Sequence, residues 1–163
     1  MQHAGQEQTW TPAQRGQTSF LAQSGTLTGL RDIRSGLVLD ITPGPRIHVY
    51  APGVTGYKPI ALSIQSQPGI VIRGAQYPQS EDYHFKPLNE HVQVFQRPFR
   101  IVQDVAIDAS AQGQAALKDM AALTIKGVLN YQACDDKVCF TPQSVPLAWT
   151  VTLRQLDRER AKP

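Results

Sequence analysis

An all-β fold, an immunoglobulin-like sandwich of two sheets, is what the sequence predicts, on three observations. Short apolar runs alternate with polar residues along most of the chain, Pro and Gly break nearly every interval between runs, and only one short stretch leans towards helix. The first 25 residues, rich in Gln, Thr, Gly and Ser with Trp10 and Phe20 as isolated apolar anchors, read as a lead-in and not as a second domain. Residues 37–41 (LVLDI) open the patterned part, and 46–50, 60–64 and 70–72 follow as further strand candidates. Pro43-Gly44-Pro45, Pro52-Gly53 and Pro68-Gly69 separate them, because Pro presets the φ of a turn and Gly accepts the positive φ that some turns demand. Residues 91–95 and 99–102 form another pair of runs, split at Arg97-Pro98. Residues 113–122 are Ala-rich but too short and too weakly amphipathic to specify a helix firmly. Two longer strands close the pattern, 123–131 and 145–153. The implied organisation is a lead-in over 1–25, one domain over 26–156 and a charged tail or linker over 157–163.

Composition narrows the function. With 41% hydrophobic and 18% charged residues in 163, the chain fits one globular domain of ordinary core size. No apolar run approaches the roughly 18–20 residues that span a bilayer. The opening residues lack the apolar centre of a signal peptide, so an exported protein would carry its signal outside this sequence. The net charge of +3 comes from dispersed Arg and Lys, densest at 154–162, without the clustered basic face of a nucleic-acid binder. No nucleophile triad, phosphate loop or dinucleotide fingerprint occurs.

The only two cysteines, Cys134 and Cys139, carry the most information. Four residues separate them between strand-like runs, and opposed residues of a tight hairpin approach closely enough for a disulfide. Closing so short a loop stabilises a fold by only about 2 kcal/mol in the chain-entropy model. A chain of this length does not depend on that contribution, so a redox couple stands beside a structural staple as a reading of the pair. Asp135 and Asp136 disfavour a thiolate on Cys134 and Lys137 partly offsets them, unless the three simply solvate a hairpin tip. A zinc site would need both cysteines and two of His3, His48, His84 and His91, and no ligand spacing supports it; no cofactor is expected. His48 and Tyr50 alternate with Ile47 and Val49, so one pair faces the core and the other faces out. Tyr131 is a packed sheet aromatic or a neighbour of the cysteines, and Trp149 is core.

The run from Thr124 to Gln132, then Ala133-Cys134, Cys139-Phe140-Thr141-Pro142 and the strand from Val145, resembles the N-terminal periplasmic domain of the DsbD thiol:disulfide interchange protein family. His48 to Gly53, Gly56 to Ile60 and Pro68-Gly69 match weakly and in the right order, so the resemblance covers about residues 37–153. It implies an immunoglobulin-like domain whose cysteines shuttle between dithiol and disulfide. Its electrons would come from a membrane-embedded partner through a thioredoxin-like domain and pass to periplasmic thioredoxin-like oxidoreductases, which makes the chain a protein-disulfide reductase component of the periplasm. It also implies a cap over the cysteines, corresponding to the stretch 83–90, with Phe85 or Leu88 as the lid, and places His48 and Tyr50 near the cysteines. Within the pair, Cys139 would join the partner and Cys134 would resolve the mixed disulfide. The alternative is a non-catalytic sandwich that binds a protein partner and holds Cys134 and Cys139 as a permanent staple. A staple has a reduction potential below about −300 mV, whereas a shuttle equilibrates with thioredoxin-like proteins.

Overall fold

The computed structural model of the protein describes residues 8–11, 18–23, 25–28 and 36–154. His3 and the charged end 157–163 lie outside the described residues, and the lead-in is described only in part. Among the described residues, no helix is long and apolar enough to cross a membrane.

Two sheets form the sandwich. The first runs in the order β1 (Gln8–Thr11), β2 (Thr18–Gln23), β4 (Gly36–Pro43), β10 (Phe99–Ile107) and β7 (Ile70–Gln76). The second runs β3 (Gly25–Thr28), β13 (Gln143–Arg154), β11 (Ala122–Tyr131) and β6 (Ala61–Ile64). Both β1 and β2 thus fall within the lead-in and extend the first sheet beyond β4. β11 alternates exposed and buried without a break over its whole length, sending Leu123, Ile125, Leu129 and Tyr131 inwards. Leu37, Leu39 and Ile41 of β4, Ile101 and Val105 of β10, and Leu147, Trp149 and Val151 of β13 complete the same cluster. Trp149 also ties the sheets by a polar contact, its indole Nε1 donating to the Val38 carbonyl at 3.0 Å. Gly127 makes room beneath that ring: a Cβ there would stand 3.1 Å from Trp149 Cζ3 and 2.8 Å from the Ser63 carbonyl oxygen.

The breakers act as their chemistry requires. At Pro68-Gly69, Gly69 takes φ +86° and Ile70 N–H donates to the Gln67 carbonyl, a tight turn that only Gly enters without strain. Pro146 sits inside β13, opposite Val128 of β11. β3 pairs with β13 only from Val151 onwards, so the missing amide donor falls on an unpaired side. The helical stretch is one short segment, α1 (Ala111–Ala116), shifted from 113–122 towards Ser110, whose hydroxyl accepts from Gly113 N–H at 3.1 Å.

A third, smaller sheet at one end of the sandwich runs β12 (Ala133–Cys134), β5 (His48–Tyr50), β9 (Glu90–Phe95) and β8 (Glu81–Phe85). β12 follows β11 after the single residue Gln132, so the long core strand delivers the first cysteine directly to this sheet. Two expectations change here. Residues 81–85, part of which reads as a covering loop, form strand β8, paired with β9 through Glu81↔Val94 to Phe85↔Glu90; only Lys86–Leu88 makes a turn, of the 3-10 kind. The run EDYHF hides this because an edge strand on a small sheet needs few apolar residues. His48, Val49 and Tyr50 are all buried, so neither face of β5 points to solvent. β5 is an inner strand whose Val49 face meets the main core and whose His48 and Tyr50 face is covered from β8 and the segment after β5.

Candidate functional site

Register assembles the floor of the site. Residues directly opposed in an antiparallel ladder send their side chains to the same face. The pairs Cys134↔His48, Tyr50↔Val94, Tyr83↔Val92 and Phe85↔Glu90 therefore share one face of the small sheet, while Ala133, Val49 and Phe95 share the other, which joins the main core. On the first face Tyr50, Val92, Val94 and Cys134 form a second buried cluster.

Cys134 is bonded to Cys139 across a hairpin, with Cα atoms 4.0 Å apart. Backbone bonds flank the disulfide on both sides, Phe140 N–H to the Ala133 carbonyl and Asp135 N–H to the Val138 carbonyl, each at 2.9 Å. The tip is held by Asp135, whose Oδ1 accepts from both Lys137 N–H and Val138 N–H at 2.7 Å. Those two bonds, Val138 first, hold the Asp135 carboxyl below the usual carboxylate range. Its first task is therefore the turn, and its charge reaches outward from there to His48. The hairpin leaves the two sulfurs unequally placed. Cys134 is 1% exposed, whereas Cys139 lies in the exposed part of the tip beside Val138, itself 54% exposed.

A cavity of about 130 Å³ opens beside Cys139, lined by His48, Tyr50, Tyr57, Tyr83 and Phe85 together with Val92 and the tip residues Asp135, Lys137 and Val138. Tyr50 Oη lies 3.6 Å from Cys139 Sγ, and because a disulfide sulfur carries no proton the phenol is the donor. Burial, reinforced by Tyr57, Tyr83 and Glu90, pushes the Tyr50 phenol up to about 12. It therefore stays protonated near neutrality and can donate equally to a thiolate on Cys139, which favours the charged form. Tyr57 stacks on Tyr50 with ring centroids 4.3 Å apart and donates to Glu90 Oε2 at 2.6 Å, a bond that raises the Tyr57 phenol as well. The chain reaches this position because Ile60 N–H returns to the Tyr50 carbonyl at 2.8 Å, folding residues 51–59 back over β5. The His48 ring lies against Tyr83 at 4.3 Å and meets Tyr50 edge-on at 5.4 Å. Burial lowers its imidazole below the ordinary value, and Asp135 opposes that shift.

Of the residues singled out in the sequence, Cys134, Cys139, His48, Tyr50 and Phe85 are brought together here. Leu88 is 69% exposed on the 3-10 turn and does not line the cavity, and Tyr131 belongs to the main core cluster. His84 and His91 stack on each other at 4.3 Å, and their register puts them on the face opposite to Phe85 and Tyr83. Among the described residues, no three His, Cys, Asp or Glu side chains converge on a metal position. Tyr57 and Tyr83 were not legible as site residues. Tyr83 would have been had Glu81, Tyr83 and Phe85 been recognised as one face of a strand.

The family model described as "Thiol:disulfide interchange protein DsbD, N-terminal" matches residues 21–148. Among solved structures, the DsbD N-terminal domain of Neisseria meningitidis in the reduced form is similar, with 14% identity, a TM-score of 0.51 and coverage of 85% of this chain and 87% of that one. The complex between the DsbD N-terminal and PilB N-terminal domains of the same organism contains a chain with 13% identity and a TM-score of 0.47, over 69% of this chain and 73% of that one. No curated protein sequence matches the chain.

Proposed function

The chain belongs to the family of DsbD N-terminal thiol:disulfide interchange domains, and from that premise we propose that Cys134 and Cys139 are its exchanging pair, with Cys139 the sulfur that joins a partner. The observation that carries this reading is the unequal exposure of the two sulfurs. Thiol–disulfide exchange needs an unhindered line of attack on one sulfur. Cys139 offers it at the rim, between the apolar Val138 and Phe140, whereas Cys134 is closed in by β5.

In the reduced domain, Cys139 thiolate attacks a partner disulfide. One partner sulfur leaves with the electron pair and takes a proton. Cys134, as thiolate, then attacks Cys139 Sγ; the Cys134–Cys139 bond forms, the bond to the partner breaks, and the second partner sulfur leaves as thiolate. Two electrons pass to the partner, and the domain ends as the disulfide. Tyr50 stabilises the attacking thiolate by its hydrogen bond to Cys139 Sγ. Thioredoxin-like proteins are the proposed recipients, for which the apolar Val138 and Phe140 beside Cys139 offer a contact surface, and a membrane-embedded partner is the proposed electron source. An oxidising compartment, the periplasm, is the proposed location. We place the exchanging unit within residues 26–156, with β1 and β2 of the lead-in adding to its first sheet and 157–163 as a tail or linker.

A redox titration separates this from a structural staple. Thiol alkylation at graded glutathione poise is expected to show reversible conversion of the pair well above about −300 mV. Circular dichroism over the same series is expected to keep the β-sheet signal, since the sandwich core does not include the sulfurs. Loss of sheet signal in step with reduction, or resistance to glutathione, would identify a staple.

Phe85 is the proposed lid, carried on the β8–β9 hairpin above the cavity. Phe85→Ala is expected to speed oxidation of the reduced pair by a small disulfide about fivefold, the factor for loss of ~1 kcal/mol of closed-state packing. Leu88→Ala, at an exposed turn, is expected to leave that rate unchanged. Equal rates for both variants and the parent would exclude a lid at Phe85.

A further inference from the structure

The exchange scheme leaves one buried titratable group without a task. His48 is 3% exposed, and its Nε2 is, among the described residues, the one buried side-chain nitrogen or oxygen without a hydrogen-bond partner. An unsatisfied buried polar atom costs about 1–3 kcal/mol, so such an atom calls for a physical reason. The reason stands across the ladder. His48 is the direct register partner of Cys134, which puts the two side chains on one face with Cβ atoms about 5 Å apart. While the disulfide is closed, Cys134 Sγ has no proton to give and is held towards Cys139. A reduced Cys134 carries an S–H on a side chain no longer tied to Cys139, a donor of the kind that Nε2 lacks.

We propose that His48 is the proton acceptor for Cys134: its Nε2 takes the thiol proton of the reduced, buried sulfur, and the thiolate so formed closes the disulfide and releases the partner. This rests on Cys134 and Cys139 being the exchanging pair. In the resolving step the S–H bond of Cys134 breaks and its proton goes to His48 Nε2. The sulfur's electron pair forms the bond to Cys139 Sγ, and the bond from Cys139 to the partner sulfur breaks with its pair going to the partner. The imidazolium then loses its proton to solvent through the cavity that His48 lines. In the opposite direction, with a partner thiolate attacking Cys139, His48 takes up a proton from solvent through the same cavity and passes it to Cys134 as that sulfur leaves.

The surroundings suit a base that is neutral at rest. Burial favours the uncharged imidazole, and Asp135 at the hairpin tip favours the imidazolium once the proton arrives. The other groups facing His48 are the Tyr83 phenol from β8 and the Tyr50 phenol from its own strand, with Tyr57 behind Tyr50 and the Lys137 ammonium on the cavity rim. Both Tyr50 and Tyr83 are raised and stay neutral. A thiol this deeply enclosed would otherwise have to ionise against its own burial.

Ellman's reagent tests the step on the reduced full chain. Attack by Cys139 releases one nitrothiobenzoate, and closure by Cys134 releases the second in a unimolecular phase. His48→Phe keeps a ring against Tyr83 and removes the base. It is expected to slow the second release tenfold or more at neutral pH and to move its pH midpoint up by about one unit, across a series from about pH 5 to about pH 9. The first release is the internal reference, and the slowing of the second is expected to exceed any change in the first several-fold. A second release unchanged by His48→Phe, or both releases slowed alike, would overturn the proposal in favour of a packing role. A single release from the parent protein, with a lasting adduct, would instead overturn the exchange reading itself. Should His48→Phe fail to fold, nitrogen-15 NMR of the parent decides: the His48 Nε2 resonance is expected to shift on reduction while those of His84 and His91 do not. An unmoved His48 resonance would refute the contact.

Discussion

Cys134→Ser is expected to accumulate a covalent complex with a thioredoxin-like protein that presents its active-site disulfide, and Cys139→Ser to accumulate none. The difference is all or nothing, because the two sulfurs are not equivalent before any chemistry begins. Cys139 stands at the exposed tip, within 3.6 Å of a phenol that donates to it, and remains able to attack when its neighbour is a hydroxyl. Without a resolving thiol, nothing attacks the mixed disulfide from within, and it persists until reductant is added. The partner-free Cys134 of Cys139→Ser lies 1% exposed in the ladder beside His48, where no protein-sized disulfide reaches it. Non-reducing gel electrophoresis with and without dithiothreitol reads the result. A complex from Cys139→Ser alone would reverse the roles, and a complex from neither variant would leave the staple as the better account.

The largest expected effect on stability belongs to Trp149→Ala. Trp149 is fully buried between the sheets, and its loss removes the biggest side chain of the core and strands the Val38 carbonyl that its indole now satisfies. Truncations of this kind cost about 3–5 kcal/mol, and for a domain of this size Tm falls by about 10 °C or more. Chemical denaturation of the oxidised protein checks the figure. Lys126→Ala on the outer face of β11 is the contrast and is expected to stay within about 0.5 kcal/mol of the parent. A loss below about 1 kcal/mol for Trp149→Ala would mean that the sheets do not depend on this ring for their packing.

The two predictions differ in how far the sequence anticipates them. Trp149 is legible as core because its strand alternates over a long stretch and pairs with a strand that alternates equally well, and alternation is a local property of the chain. The same holds for Leu37, Leu39 and Ile41, and for the turn at Pro68-Gly69. The all-β class and the cysteine hairpin were therefore written in short-range pattern and spacing. So was the resemblance to the DsbD N-terminal domain, which runs through contiguous motifs.

The site itself was not local. His48, Tyr57, Tyr83, Phe85 and Cys139 come from four separate stretches of chain: the register of β5, β8, β9 and β12 brings His48, Tyr83 and Phe85 together, the return of Ile60 to Tyr50 folds Tyr57 over them, and the disulfide to Cys134 adds Cys139. Slipping any ladder by one residue would turn its side chains to the opposite face, and nothing in the composition of EDYHF or HVY states which register is adopted. Tertiary structure alone decided that Phe85 and not Leu88 lines the cavity, that both faces of β5 are covered, and that Cys134 is enclosed while Cys139 is open. The physical reason is common to all three. Burial of a side chain on a small sheet depends on what packs over it from distant segments, whereas the alternation that makes it a strand depends only on its neighbours in sequence.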